Sequence, residues 1–295
     1  MAARTTELRR PGFWPLAIVF VLFVLFLYGP VITIFVLSFQ GPTGGLTFPM
    51  RGLSLHWYAK LWQGLGVVDI GAALRRSAAL GIVVMLLTVL LSLSAGLAFR
   101  KKLAGANLLF YVTVASLIMP SIVVSLGIGL QFRLIDAGLK ALLEALGMSE
   151  TLESYTTSLG LFTSGLGAHL TWTLPFGLLI MFAVFNRFNP AYEEAARDQG
   201  ATPWQTFRHV VLPLIAPSVI GVGMFGFTLS WDEIARSSQA IGDLNTLPLE
   251  LQGLTTTVTD PAIYALGTLT TAVSLVVIAV ALGSAAWLGR RSRHV

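Results

Sequence analysis

Six stretches of mainly apolar residues, separated by short polar intervals, set the pattern of this chain: about 13–39, 77–99, 108–131, 164–185, 214–231 and 262–288. Each approaches or exceeds the roughly 20 apolar residues a helix needs to cross a bilayer. The fifth is the shortest and its limits the least sharply drawn, because Pro217, Gly221, Gly223 and Gly226 weaken it as a free helix. The pattern predicts an all-α, polytopic membrane protein of six transmembrane helices in one domain over residues 1–295. Pro120 and Pro175 fall inside apolar stretches and are expected to be fixed kinks. Gly127 and Gly129 suit close helix packing. Between the third and fourth stretches, Leu139, Leu142, Leu143 and Leu146 recur at helical spacing, predicting a short amphipathic surface helix.

One polar interval is punctuated differently. Residues Glu194 to Pro213 read EAARDQGATPWQTFRHVVLP. Asn189 and Pro190 form a helix start signal, and the acids that follow sit near the positive helix end. Gly200 supplies a left-handed stop. A second start follows, with Thr202 as cap, Pro203 in first position and Gln205 completing a capping box. Leu212-Pro213 is expected to end that second helix. The prediction is a helix-turn-helix between two spans.

Composition agrees with lipid as the main solvent. The chain is 55% hydrophobic and only 11% charged, with a mean hydropathy of +0.78, against about a quarter charged residues in soluble domains. The net charge of +5 does not call for nucleic acid, since the basic residues flank apolar runs in short clusters. Zero cysteines exclude disulfides and thiolate chemistry. The N-terminus begins like a signal peptide, but the run from Phe13 to Phe39 far exceeds the ~7–15 residues of such a core, so it reads as a retained helix.

Lysines and arginines give the orientation. With both termini in the cytoplasm, twelve lie inside: Arg4, Arg9, Arg10, Arg100, Lys101, Lys102, Arg187, Arg197, Arg208, Arg290, Arg291 and Arg293. Seven lie outside: Arg51, Lys60, Arg75, Arg76, Arg133, Lys140 and Arg236. Arg75-Arg76 runs against the rule. The Glu194–Pro213 stretch is therefore placed in the cytoplasm, and His56, Trp57, Tyr58 and Trp62 form an outer aromatic belt.

Enzymatic chemistry finds little support. The chain has no GxxxxGK[ST] phosphate loop, no HExxH and no GxSxG. Its histidines, His56, His169, His209 and His294, are scattered, so neither a catalytic nor a metal site is expected.

Glu194-Ala195-Ala196, three residues, Gly200, nine residues, then Val210-Val211-Leu212-Pro213 resembles the EAA loop of ABC-importer permeases, with Val210 where that pattern has Ile. Weaker similarities over residues 74–285 resemble the polyamine (spermidine/putrescine) group. They include Arg76-Ser77, Leu174-Pro175-Phe176, Trp231-Asp232-Glu233 and Thr246-Leu247-Pro248; relatives of that pattern handle ferric iron, thiamine or aminoethylphosphonate. The resemblance implies a type I importer permease in a bacterial inner membrane. Its partners would be an ABC ATPase dimer, which binds ATP and Mg, a sister permease in a heterodimer (a homodimer stays open) and an extracytoplasmic solute-binding protein. No cofactor belongs to this chain itself. The coupling residues so implied are Glu193, Glu194, Ala195, Ala196, Asp198, Gly200 and Pro203.

For the solute pathway, Trp231, Asp232, Glu233 and Phe227 are candidates: acids near a membrane face are costly unless they meet a wet cavity or a partner, and aromatics add cation–π contacts. The acids equally suit an outer interface or an ion pair with Arg236. His169 and Trp172 are further candidates, with a buried, satisfied histidine as the alternative. A different class, a secondary carrier or channel using Asp232 and Glu233, predicts transport without an ATPase.

Overall fold

The computed structural model describes residues 12–64, 68–100, 105–257 and 259–291. Of the charges used for orientation, Arg4, Arg9, Arg10, Lys101, Lys102 and Arg293 lie outside the described residues, as do the side chains of Arg290 and Arg291. The described chain is helical: α1 (Phe13–Leu37), α2 (His56–Gln63), α3 (Ile70–Phe99), α4 (Ala106–Ala115), α5 (Ser121–Ala145), α6 (Ser149–Ser154), α7 (Leu161–Arg187), α8 (Ala191–Asp198), α9 (Pro203–Trp231), α10 (Leu247–Leu254) and α11 (Ala262–Arg291). Six of them, α1, α3, α5, α7, α9 and α11, are long and apolar enough to span a membrane. Large apolar side chains on α1 lie open, Phe26 at 81% exposure, as expected where lipid is the solvent.

Several predicted boundaries move, and α3 begins at Ile70, seven residues before the expected start. The third apolar stretch is not one helix: α4 ends at Ala115 and α5 begins at Ser121, with Pro120 between them in extended conformation. Proline lacks an N–H and restricts the residue before it, so the helix breaks there and does not merely kink. The separate amphipathic helix around Leu139–Leu146 does not exist, because α5 runs through to Ala145. The half-buried Asp136 does not stop it: the carboxylate accepts bonds from Tyr155 Oη at 2.5 Å, Thr157 Oγ1 at 2.6 Å and the Ser158 amide at 2.7 Å. Pro175 stays inside α7.

The chain divides into two compact units. The first, 1–68 with 253–271, holds α1, α2, the end of α10 and the start of α11. Buried Gln40 organises its loop: Oε1 accepts from the Arg51 amide at 2.6 Å, and Nε2 donates to the Gly45 carbonyl. Lys60 pairs with Asp260 and lies over the Trp57 ring. Within the expected aromatic belt Trp57 is buried and Trp62 exposed.

In the second unit, 69–252 with 272–295, α3, α7 and α9 pack together. Met181, Phe185, Val211, Ile215 and Val222 form one apolar cluster, and Leu80, Val84, Leu161 and Ile241 another. Helices α3 and α7 approach closely enough that a Cβ on Gly177 would fall 2.1 Å from Ser92 Oγ. Beside that contact Thr88 and Thr173 share a buried 2.7 Å hydrogen bond. A Cβ on Gly129 would meet the Gln239 carbonyl at 2.5 Å, so Gly129 packs closely as expected, whereas Gly127 has open space.

Candidate functional site

The helix-turn-helix forms, one residue offset from expectation. Asn189 Oδ1 accepts from the Ala191 amide at 3.0 Å, while α8 starts at Ala191. Gly200 stops the helix at φ +83. Its amide donates to the Arg197 carbonyl at 2.8 Å and that of Ala201 to the Ala196 carbonyl at 3.1 Å, the bonding that satisfies a helix end through a left-handed residue. Thr202 and Gln205 exchange both capping-box bonds, at 2.8 and 3.3 Å.

Leu212-Pro213 does not end the second helix. α9 runs without a break from Pro203 to Trp231 and is itself the fifth span. Its turn from Phe207 to Val211 is a wide π turn. A widened turn just before a proline relieves the clash between the proline ring and the carbonyl one turn back, so the helix passes through.

Short α8 divides its charges. The Glu193 carboxylate faces inward and receives both prongs of Arg100, at 2.6 and 3.0 Å. The Arg100 guanidinium lies over Phe185 and Phe188, 5.3 and 5.2 Å from their ring centres. Glu194, Ala195, Asp198 and Gly200 are exposed, and Ala196 is half-buried. Beside them opens a cleft of about 780 Å³ lined by Leu97, Arg100, Glu193, Arg197, Pro203 and Trp204, among others. Trp204 is 65% exposed and stacks on Phe207.

The second group of candidates is split. Phe227 and Trp231 are buried and stacked on each other at 5.7 Å. Asp232 follows the end of α9 and is exposed, with no hydrogen bond or ion pair to its carboxylate among the described residues. Crowding by neighbouring atoms nonetheless raises its carboxyl pKa above the ordinary value. Glu233 Oε1 accepts from the Arg236 amide at 2.8 Å and so caps the next turn. Neither acid makes a side-chain ion pair with Arg236 among the described residues. His169 is buried between Ser230 and Ser237, at 2.8 and 2.9 Å. Because the Ser237 hydroxyl donates to the Glu233 carbonyl at 2.6 Å, its oxygen accepts from His169 Nε2–H, leaving Nδ1 to accept from Ser230.

Sequence reasoning took Arg236 as a loop charge and as an ion-pair partner for the two acids, and missed its burial. It is fully buried. Its guanidinium donates to Ser121 Oγ at 3.3 Å, to the Ser116 carbonyl at 3.2 Å and to Thr171 Oγ1, and lies 4.8 Å over the half-buried Trp172 ring. The irregular segment after α9 is thus fastened into the unit. Serines of the surrounding helices fasten it further. Ser125 binds the Arg236 carbonyl and the Gln239 amide, Ser164 the Ala240 carbonyl and Ser77 the Leu247 amide. Non-helical backbone beside membrane helices needs such internal partners. Arg76, at odds with the charge rule, donates to the Asn245 carbonyl at 2.8 Å and lies 3.9 Å from Glu250. The serines carry no periodic signal, which is why the segment reads as a plain loop.

Comparison with known proteins adds the following. The family described as binding-protein-dependent transport system inner membrane component matches residues 88–294. The spermidine/putrescine transport system permease protein PotC of Haemophilus influenzae is 28% identical over 263 residues, 89% of this chain and 92% of that protein. Among solved structures, a bacterial ABC transporter involved in the import of the acidic polysaccharide alginate aligns with a TM-score of 0.65 at 16% identity, over 95% of this chain and 97% of that one. A bacterial alginate ABC transporter in complex with an alginate pentasaccharide-bound periplasmic protein gives 0.60 at 16% identity, over 97% and 96%. At that identity the likeness is one of fold.

Proposed function

Because this chain belongs to the family of binding-protein-dependent transport system inner membrane components, we propose that it is the polyamine-type permease subunit of an ABC importer, a single permease domain with both termini in the cytoplasm. It forms part of a solute path and couples that path to a separate ATPase dimer, which supplies the ATP and Mg chemistry. A sister permease completes the path, and an extracytoplasmic binding protein delivers the solute. The observation that carries the coupling role is α8: a short helix offering Glu194, Ala195 and Asp198 outward, beside an exposed Trp204, with no internal partner for either acid among the described residues. Small residues give a shallow face, and two free acids suit a basic cleft on the ATPase. Spermidine or putrescine as cargo is supported by the likeness to the Haemophilus spermidine/putrescine transport system permease. It is also supported by the exposed, unpaired Asp232, which a cationic solute would hold in its charged form.

Reconstitution of the complete transporter with spermidine as the solute tests both parts. Glu194→Lys is expected to abolish solute-stimulated ATP hydrolysis, and unchanged hydrolysis and uptake would refute the coupling role. Asp232→Asn is expected to weaken spermidine uptake with the complex still assembled; unaltered uptake kinetics would remove Asp232 from the pathway.

A further inference from the structure

Through its backbone, α8 reaches only its neighbours in sequence, α7 by the short link 188–190 and α9 by the Gly200 turn. Arg100, the residue that ends α3, lies 93 residues upstream of Glu193, and side chains make the tie between them. Its guanidinium grips both carboxylate oxygens of Glu193. A two-pronged pair fixes orientation as well as distance, which a lysine's point charge does not. Phe185 and Phe188, at the end of α7, hold the other side of the guanidinium. Both charged side chains are partly shielded, at 25% and 14% exposure. Glu194 and Asp198, on the same helix, make no ion pair among the described residues.

We propose that the Arg100–Glu193 pair is a positioning link that carries movement of α8 into α3, and through the packing of α3 with α7 and α9 into the membrane-spanning core. The inference rests on the coupling role proposed above and assigns it an internal half: Glu194 and Asp198 meet the engine, while Glu193 and Arg100 pass its motion on. Arg100 lines the cleft beside α8 but pairs with neither Glu194 nor Asp198 among the described residues, so co-purification of the ATPase separates transmission from docking.

The test uses proteoliposomes holding the complete transporter, with spermidine as the probe, and measures spermidine moved per ATP hydrolysed. Arg100→Glu and Glu193→Arg are each expected to lower that ratio roughly tenfold, within the ~5–150-fold span of ordinary coupling between sites, while the ATPase still co-purifies. The double exchange, Arg100→Glu with Glu193→Arg, is expected to recover much of the loss. Arg100→Lys, the mildest change, is expected to assemble normally and fall between wild type and the reversals. Reversals with a wild-type ratio would overturn the inference, as would a double exchange no better than the singles. Loss of the ATPase from Arg100→Lys would make the pair a docking element and overturn it equally. A wild-type complex whose hydrolysis ignores the spermidine-loaded binding protein sinks the coupling reading itself; a coupled wild type with indifferent variants sinks only the link.

Discussion

Arg236 shows how a cation is kept buried with no carboxylate paired to its guanidinium among the described residues. Two hydroxyls, one carbonyl and the Trp172 face receive it, sharing out the charge that burial would otherwise leave costly. Lysine has neither the fork nor the flat face that stacks on an indole. Arg236→Lys is therefore expected to lower stability by about 1–3 kcal/mol, read as an earlier thermal transition in detergent. A complementary case is Gly177, where the added methyl of Gly177→Ala would collide with Ser92 Oγ at 2.1 Å. Overpacking at such a contact costs about 1–3 kcal/mol, and the double change Gly177→Ala with Ser92→Gly should restore most of the melting temperature. Neither residue stands out in the sequence: an arginine in a polar interval and a glycine in a span are both commonplace there.

At the scale of elements, the punctuation signals were legible where they act locally. Thr202 and Gln205 make their capping box and Gly200 takes the left-handed turn, because each signal depends only on residues within one turn of it. Thr202→Ala is expected to cost about 1 kcal/mol and to speed amide exchange over residues 203–206, with little effect beyond Val211. Proline is harder to read. Pro120 stops a helix, whereas Pro213 and Pro217 do not. At Pro213 the preceding turn, Phe207–Val211, widens, whereas Pro217 and Pro175 are passed within regular α-helix, and no local spacing announces which proline stops a helix. Likewise Gln131, Arg133 and Asp136 suggest the end of a span, yet α5 continues because Tyr155, Thr157 and Ser158 come back to satisfy Asp136.

For the whole molecule, six spans were legible because an apolar run of sufficient length has few alternatives to crossing a bilayer. The anchoring of the 232–246 segment, buried at Arg236, Ser237, Ala240 and Ile241, was not, since it depends on serines of α3, α5 and α7 brought from distant parts of the chain. Orientation is directly testable, as the chain has no cysteine of its own and any introduced thiol reports alone. In sealed right-side-out vesicles, Asp198→Cys should resist a membrane-impermeant maleimide until the membrane is opened, and Leu244→Cys should react at once; the reverse pattern would invert the topology.

The continuity of α9 has a mechanical meaning. Its 29 residues make a rod of about 43 Å at 1.5 Å per residue, longer than the ~30 Å hydrocarbon layer. Such a rod is a lever. Trp204 rides on its exposed end, and Trp231 and Asp232 mark the far one. A tilt of about 5° pivoting at one end would displace the other by roughly 4 Å over that length, comparable with the width of a water molecule or an amine group. Asp232 follows directly on the far end of the helix that begins beside the cleft, so the two ends share one continuous backbone, and a displacement at one would be scaled at the other by leverage.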